Sequence, residues 1–121
     1  MEKINERELT RNYIKKYKID NIFDKKILKN IDLFKFFQDE LIYDPGENIE
    51  YIYFLVKGKL KILFNLSNGK RLLLRFSNPL SIIGDIEIYG DLRVKTEVSP
   101  VNSAYLLGLP LRIIKEKCYE N

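Results

Sequence analysis

The chain has 121 residues, 45% of them apolar and 31% charged, with a formal net charge of +4, which fits one globular domain able to bury a core. It has no histidine and a single cysteine, Cys118, so the usual zinc sites, cysteine-ligated iron–sulfur clusters, Ser–His–Asp and Cys–His nucleophiles and any internal disulfide are excluded. No apolar run approaches the roughly 20 residues of a membrane helix, and the N-terminus carries charges of both signs without a signal segment. The expectation is a cytoplasmic protein with no metal and no membrane contact.

Residues 1–40 read as helix. Leu9, Tyr13, Ile14 and Tyr17 share one helical face, and Ile22, Phe23, Ile27 and Leu28, then Leu33, Phe34, Phe36 and Phe37, continue in short helical or turn segments. The three phenylalanines are expected to anchor the core. From Leu41 the period changes. Leu41-Ile42-Tyr43 reads as a short strand, ended by a turn at Asp44-Pro45-Gly46-Glu47, because proline fixes one dihedral and glycine supplies a positive one. Further strands are expected near 51–57, 59–65, 70–76, 94–98 and 104–109, with a bend at Lys57-Gly58 and a hairpin at Ser67-Asn68-Gly69. Pro110 opens a last helix, with Leu111, Ile113, Ile114 and Cys118 as its apolar side, since proline suits a first helical turn.

The expected organisation is a single domain. A helical segment, 1–40, packs on a β jelly-roll core, 41–109, and 110–121 begins a C-terminal helix. Charge is segregated along it. Residues 57–75 hold six bases and no acid, and 39–50 hold five acids and no base. Lys57, Lys59 and Lys61 alternate with Gly58, Leu60 and Ile62, the pattern of a half-solvated strand whose lysines discourage edge pairing.

Gly46-Glu47, Tyr53-Phe54-Leu55-Val56-Lys57-Gly58-Lys59-Leu60, Asn68-Gly69-Lys70 and Ile83-Gly84-Asp85, taken together, resemble the cyclic-nucleotide-binding domain of Crp/Fnr-type bacterial transcription regulators over roughly residues 30–118. The resemblance implies a mainly β fold with flanking helices, a double-stranded β-helix jelly roll. It implies a regulatory sensor rather than an enzyme, a small-molecule effector, a homodimer, and DNA contacted through a helix-turn-helix that this sequence stops short of.

By the same resemblance the effector site is a phosphate-binding cassette, and the candidate ligand residues are Gly84, Asp85, Ile86, Glu87, Arg93, Lys95 and Thr96. In the family a Gly-Glu opens a short helix and an arginine with two small residues follows; helix N-terminus and guanidinium together hold an anion. This sequence departs from that pattern. Gly84-Asp85 stands for Gly-Glu, Val94 falls at the arginine position, and Arg93 is one place off. Two functions are therefore open. One is an effector sensor for a cyclic nucleotide or another small anion. The other is a ligand-free scaffold of the same fold used for dimerisation or protein contact. A metal-holding cupin lacks its histidines here, and a single-stranded nucleic-acid barrel would use Tyr51, Tyr53 and Phe54 beside the basic stretch.

Overall fold

The computed structural model describes residues 1–43, 50–66, 68–83 and 96–119. Two antiparallel sheets enclose one core. The larger has the order β1 (Glu2–Ile4), β2 (Asp32–Phe36), β8 (Ala104–Pro110), β3 (Tyr51–Lys57) and β6 (Ser81–Ile83). The smaller has β5 (Arg71–Ser77), β4 (Leu60–Asn65) and β7 (Thr96–Pro100). This is the jelly-roll expectation.

Helix α1 (Arg7–Lys16) carries Glu8 in its first turn and Lys15 and Lys16 in its last, the polarity a helix dipole favours. Lys18 turns the chain at φ 57°, a 3-10 turn follows at Ile19–Asn21, and Asp24 caps the short α2 (Lys25–Leu28) by accepting from the Ile27 amide at 3.0 Å. These elements cover the outer face of the larger sheet. Tyr17 donates its hydroxyl proton to the Val56 carbonyl at 3.2 Å, and the Phe23 ring meets Phe54 edge-on at 6.1 Å.

Residues 1–40 are thus not helical throughout. Glu2–Ile4 and Asp32–Phe36 are paired strands, with β2 in register against β8 from Asp32↔Gly108 to Phe36↔Ala104. The misreading has a physical cause. A strand with buried residues on both faces loses its two-residue alternation, and in Asp32-Leu33-Phe34-Lys35-Phe36 the adjacent Leu33 and Phe34 are both buried. Leu33 faces the helices and Phe34 and Phe36 face the barrel interior, and all three are buried. Phe37 lies beyond the strand and is 45% exposed under Lys35, so it is not a core anchor.

Gly58 bends the chain at φ 101°. The β4–β5 hairpin closes through Leu66 N–H to Lys70 O at 2.8 Å and Lys70 N–H to Asn68 Oδ1 at 3.0 Å. The basic stretch is a solvated face, as its alternation predicts: Lys57 lies over Tyr105 and Lys59 over Phe76. Pro110 ends β8 rather than opening the helix, because it stays in register opposite Tyr51. Helix α3 (Leu111–Tyr119) starts one residue later, and its first amide donates to Glu50 O at 2.9 Å. Strand β7 is described from Thr96 to Pro100, and the short β6 was not among the expected strands.

Candidate effector site at the open end of the barrel

Five rings fill the barrel interior. Tyr53 sits at their centre, with Phe34, Phe36, Tyr43 and Tyr51 at centroid distances of 5.6 to 6.2 Å. Burial, then the neighbouring Tyr51 and Glu50, pushes the Tyr53 phenol well above its ordinary range, so it stays neutral. Gly108 makes room for this cluster, since a Cβ there would lie 2.7 Å from Phe34 and 3.1 Å from Tyr53.

Tyr43 ties the two sheets together. Its backbone bridges to Val98 of β7, with Val98 N–H donating to Tyr43 O at 3.1 Å. Its hydroxyl donates to the carbonyl of Ile83, the last residue of β6, at 3.0 Å, and also reaches the Tyr51 carbonyl. Ile83 ends on the larger sheet and Thr96 begins on the smaller one. The segment 84–95 therefore connects the sheets between two ends that Tyr43 helps to fix. Gly84, Asp85, Ile86, Glu87, Arg93 and Lys95, like the Asp44-Pro45-Gly46-Glu47 turn, lie outside the described residues. Of the candidate ligand residues Thr96 is described, half-buried at the start of β7.

Register gives Thr96 its neighbours. It pairs with Phe64 of β4, which pairs with Leu72 of β5, and residues directly opposite one another share a face. The next row inward is Val98, Ile62 and Arg75. Val98 and Ile62 are buried, whereas Phe64 and Leu72 are 39% and 51% exposed. β5 is exposed up to Ser77, so Phe64 and Leu72 leave an exposed apolar row beside the hydroxyl of Thr96, with Arg75 in the neighbouring row.

Arg75 falls in the row next to Thr96, Phe64 and Leu72, a placement that sequence reasoning missed, having counted it with the solvated bases. It takes part in no ion pair among the described residues, whereas Arg71 pairs with Glu97 at 3.3 Å. Tyr43 was missed as well. Its signal in the sequence was only that of a strand residue before a turn. Beneath the start of α3, a cleft of about 380 Å³ separates Glu50 and Tyr51 from Arg112 and Lys115. Among the described residues no group of three or more possible metal ligands comes together, and no described helix is long and apolar enough to cross a membrane.

Comparison with known proteins agrees with this architecture. The family model described as the cyclic nucleotide-binding domain matches residues 33–120. The regulatory protein YeiL of Escherichia coli O157:H7 is 25% identical over 80 residues; the match takes in 66% of this chain and 36% of that protein. The sensor domain of the transcriptional regulator DNR from Pseudomonas aeruginosa superposes with a TM-score of 0.76 at 14% identity, over 94% of this chain and 79% of that one. A regulatory subunit of a cAMP-independent protein kinase A from Trypanosoma cruzi, bound to guanosine, gives 0.72 at 17% identity, over 86% and 38%.

Proposed function

The chain belongs to the cyclic nucleotide-binding domain family, and from that premise we propose that it is an effector-sensing domain, whose small-molecule ligand binds at the open end of the barrel. The observation that carries this reading is the row Thr96–Phe64–Leu72, where the inner face of the smaller sheet is apolar and exposed. The segment 84–95 supplies the rest of the site through Gly84, Asp85, Ile86, Glu87, Arg93 and Lys95. With Val94 at the position of the family's arginine, the cation for a phosphate comes from Arg93 or from Arg75. A nucleoside-like molecule suits the site: its base stacks on Phe64 and Leu72, and its sugar hydroxyls meet Asp85 and Thr96. The guanosine held by the trypanosomal neighbour supports including uncharged nucleosides beside cyclic nucleotides.

The domain is a binding module and not an enzyme. Occupancy shifts α3, which is anchored by Leu111, Ile113 and Ile114 on the core, and a ligand moves such an equilibrium only by its differential affinity for the two arrangements. The output in the regulator is dimerisation and DNA binding in the cytoplasm.

Thermal-shift and calorimetric titration with cAMP, cGMP, adenosine and guanosine is the test. A ligand at about 100 times its Kd stabilises the fold by about 2.7 kcal/mol. Phe64→Ala should abolish that stabilisation, and Arg75→Gln should weaken cyclic nucleotides more than nucleosides. If none of the four stabilises the fold, the ligand-free scaffold reading replaces this one. The five rings that already fill the barrel interior favour that second reading.

A further inference from the structure

A groove of about 740 Å³ lies on the opposite side of the larger sheet, between α1, the 3-10 turn and α2. Its floor is apolar: Ile14 is buried, and Phe23 and Leu28 are half-buried. Its rim carries Arg11, Lys15, Lys25 and Lys29, all exposed. Two carboxylates, Asp20 and Asp24, also line it, and Asp24 is engaged in capping α2. Arg7 at one end is engaged too, donating to Ile31 O at 2.8 Å and pairing with Asp32. No ion pair joins the four rim cations to an acid among the described residues.

Like charges adjoin along this rim. Arg7, Arg11 and Lys15 repeat every four residues along α1, and Lys25 and Lys29 repeat the interval across α2. Like charges at that spacing face each other and destabilise a helix. Two helices aim such rows at one recess with an apolar bottom, a cost that an anion in the groove would offset.

We propose that this groove binds a single-chain amphipathic anion, a medium-length acyl carboxylate or its phosphate analogue, with the head on Lys15 and Lys29 and the tail over Ile14, Phe23 and Leu28. A bare anion would leave the apolar floor wet, and an uncharged hydrocarbon would leave the cations unneutralised. The volume lies within the ~300–1,000 Å³ of small-molecule sites. The occupant is a free molecule, since the groove between the two helices has the volume of a small-molecule site. Phe23 gives the site a route inward, since its ring packs on Phe54 of β3.

The test is calorimetric titration of the whole chain with sodium dodecanoate below its micelle concentration, with amide NMR shifts to locate it. Saturable binding that shifts α1 and α2 amides is expected, weakening between about 0.02 M and about 0.2 M salt. Lys15→Glu with Lys29→Glu should lower affinity roughly tenfold or more, and Leu28→Asn should do so with the charges intact. Both variants must keep the wild-type circular dichroism; Leu28→Ala replaces Leu28→Asn if that one misfolds. Leu73→Gln, on the outward face of the exposed β5 strand, should change nothing. The proposal is overturned if dodecyltrimethylammonium binds as well, if inorganic phosphate binds as tightly, or if Leu73→Gln alone removes binding. Capture by phosphatidylglycerol vesicles without binding of monomeric dodecanoate overturns it as well, in favour of a membrane surface. Because the groove is remote from Thr96 and Arg75, failure here leaves the effector reading untouched, and the reverse also holds.

Discussion

Removing one hydroxyl at Tyr43 tests whether the two sheets are held together where the structure puts the tie. Tyr43 is 5% exposed, and its hydroxyl donates to the Ile83 carbonyl at 3.0 Å. In Tyr43→Phe the ring keeps its contact with Tyr53 at 5.6 Å, so the change removes the one hydroxyl proton that the Ile83 and Tyr51 carbonyls share and leaves the ring packing in place. A typical intramolecular hydrogen bond is worth about 1 kcal/mol net, and a buried acceptor left without its donor costs about 1 to 3 kcal/mol. The expected loss is about 1 to 2 kcal/mol. At this chain length that corresponds to a drop in Tm of roughly 3 to 12 °C, between the values for smaller and larger domains. Guanidinium unfolding followed by circular dichroism should show a lower midpoint at unchanged m-value. Native-state hydrogen exchange should show the largest loss of protection in β6, because Ile83 is where the tie ends. A midpoint within about 0.3 kcal/mol of wild type, with β6 protection unchanged, would refute the bridging role.

Gly108→Ala should destabilise by about 1 to 3 kcal/mol, the usual cost of overpacking, because the new methyl would meet Phe34 at 2.7 Å and Tyr53 at 3.1 Å, both of them buried. Pairing it with Phe34→Leu should recover part of the loss in a double-mutant cycle; strict additivity would argue against the clash. Alkaline stability should report on Tyr53, whose phenol is raised by burial. The unfolded phenol ionises near pH 10 while the folded one stays protonated, so the contribution is complete below about pH 10 and is lost as pH rises toward the higher folded value. Urea midpoints between about pH 9 and about pH 11 should therefore fall less steeply in Tyr53→Phe than in wild type, by up to ~1.4 kcal/mol per pH unit. Equal slopes would show that Tyr53 does not titrate with unfolding.

Much of the architecture was legible because turns announce themselves. Gly58 and the Asn68-Gly69 pair punctuate β3, β4 and β5, and both glycines adopt positive φ, 101° and 85°. Such positions are written in residue type. Strand β2 was illegible for the opposite reason. It is sandwiched between helices and barrel, so Leu33, Phe34 and Phe36 bury both faces while Lys35 falls between them, and the pattern matched a helix as well as a strand. Strand β6 has three residues and pairs at three positions, too short for any period to register. The family resemblance was carried by glycines and strand spacing, which specify the fold, and of the site residues it offered only Thr96 lies among the described residues.

The site shows why the remaining part could not be read. Counting by twos back from buried Ser77 puts Arg75 and Leu73 on the inner face of β5. The observed register breaks that count: Ile62 opposes Arg75, but Leu63 opposes Leu73 and Phe64 opposes Leu72. One extra residue, Leu74, is bulged, and every side chain before it changes face. Leu72 thereby joins Phe64 and Thr96, while Leu73 turns outward beside Leu63. The run Leu72-Leu73-Leu74 offers no hint of which leucine is the extra one, since all three are alike in hydrophobicity and shape. The surface proposed for the effector therefore depends on a backbone irregularity that residue types do not encode. A bulge beside a binding site is a recurrent way of re-aiming one side chain, and here it exchanges an outward leucine for an inward one at the mouth of the barrel.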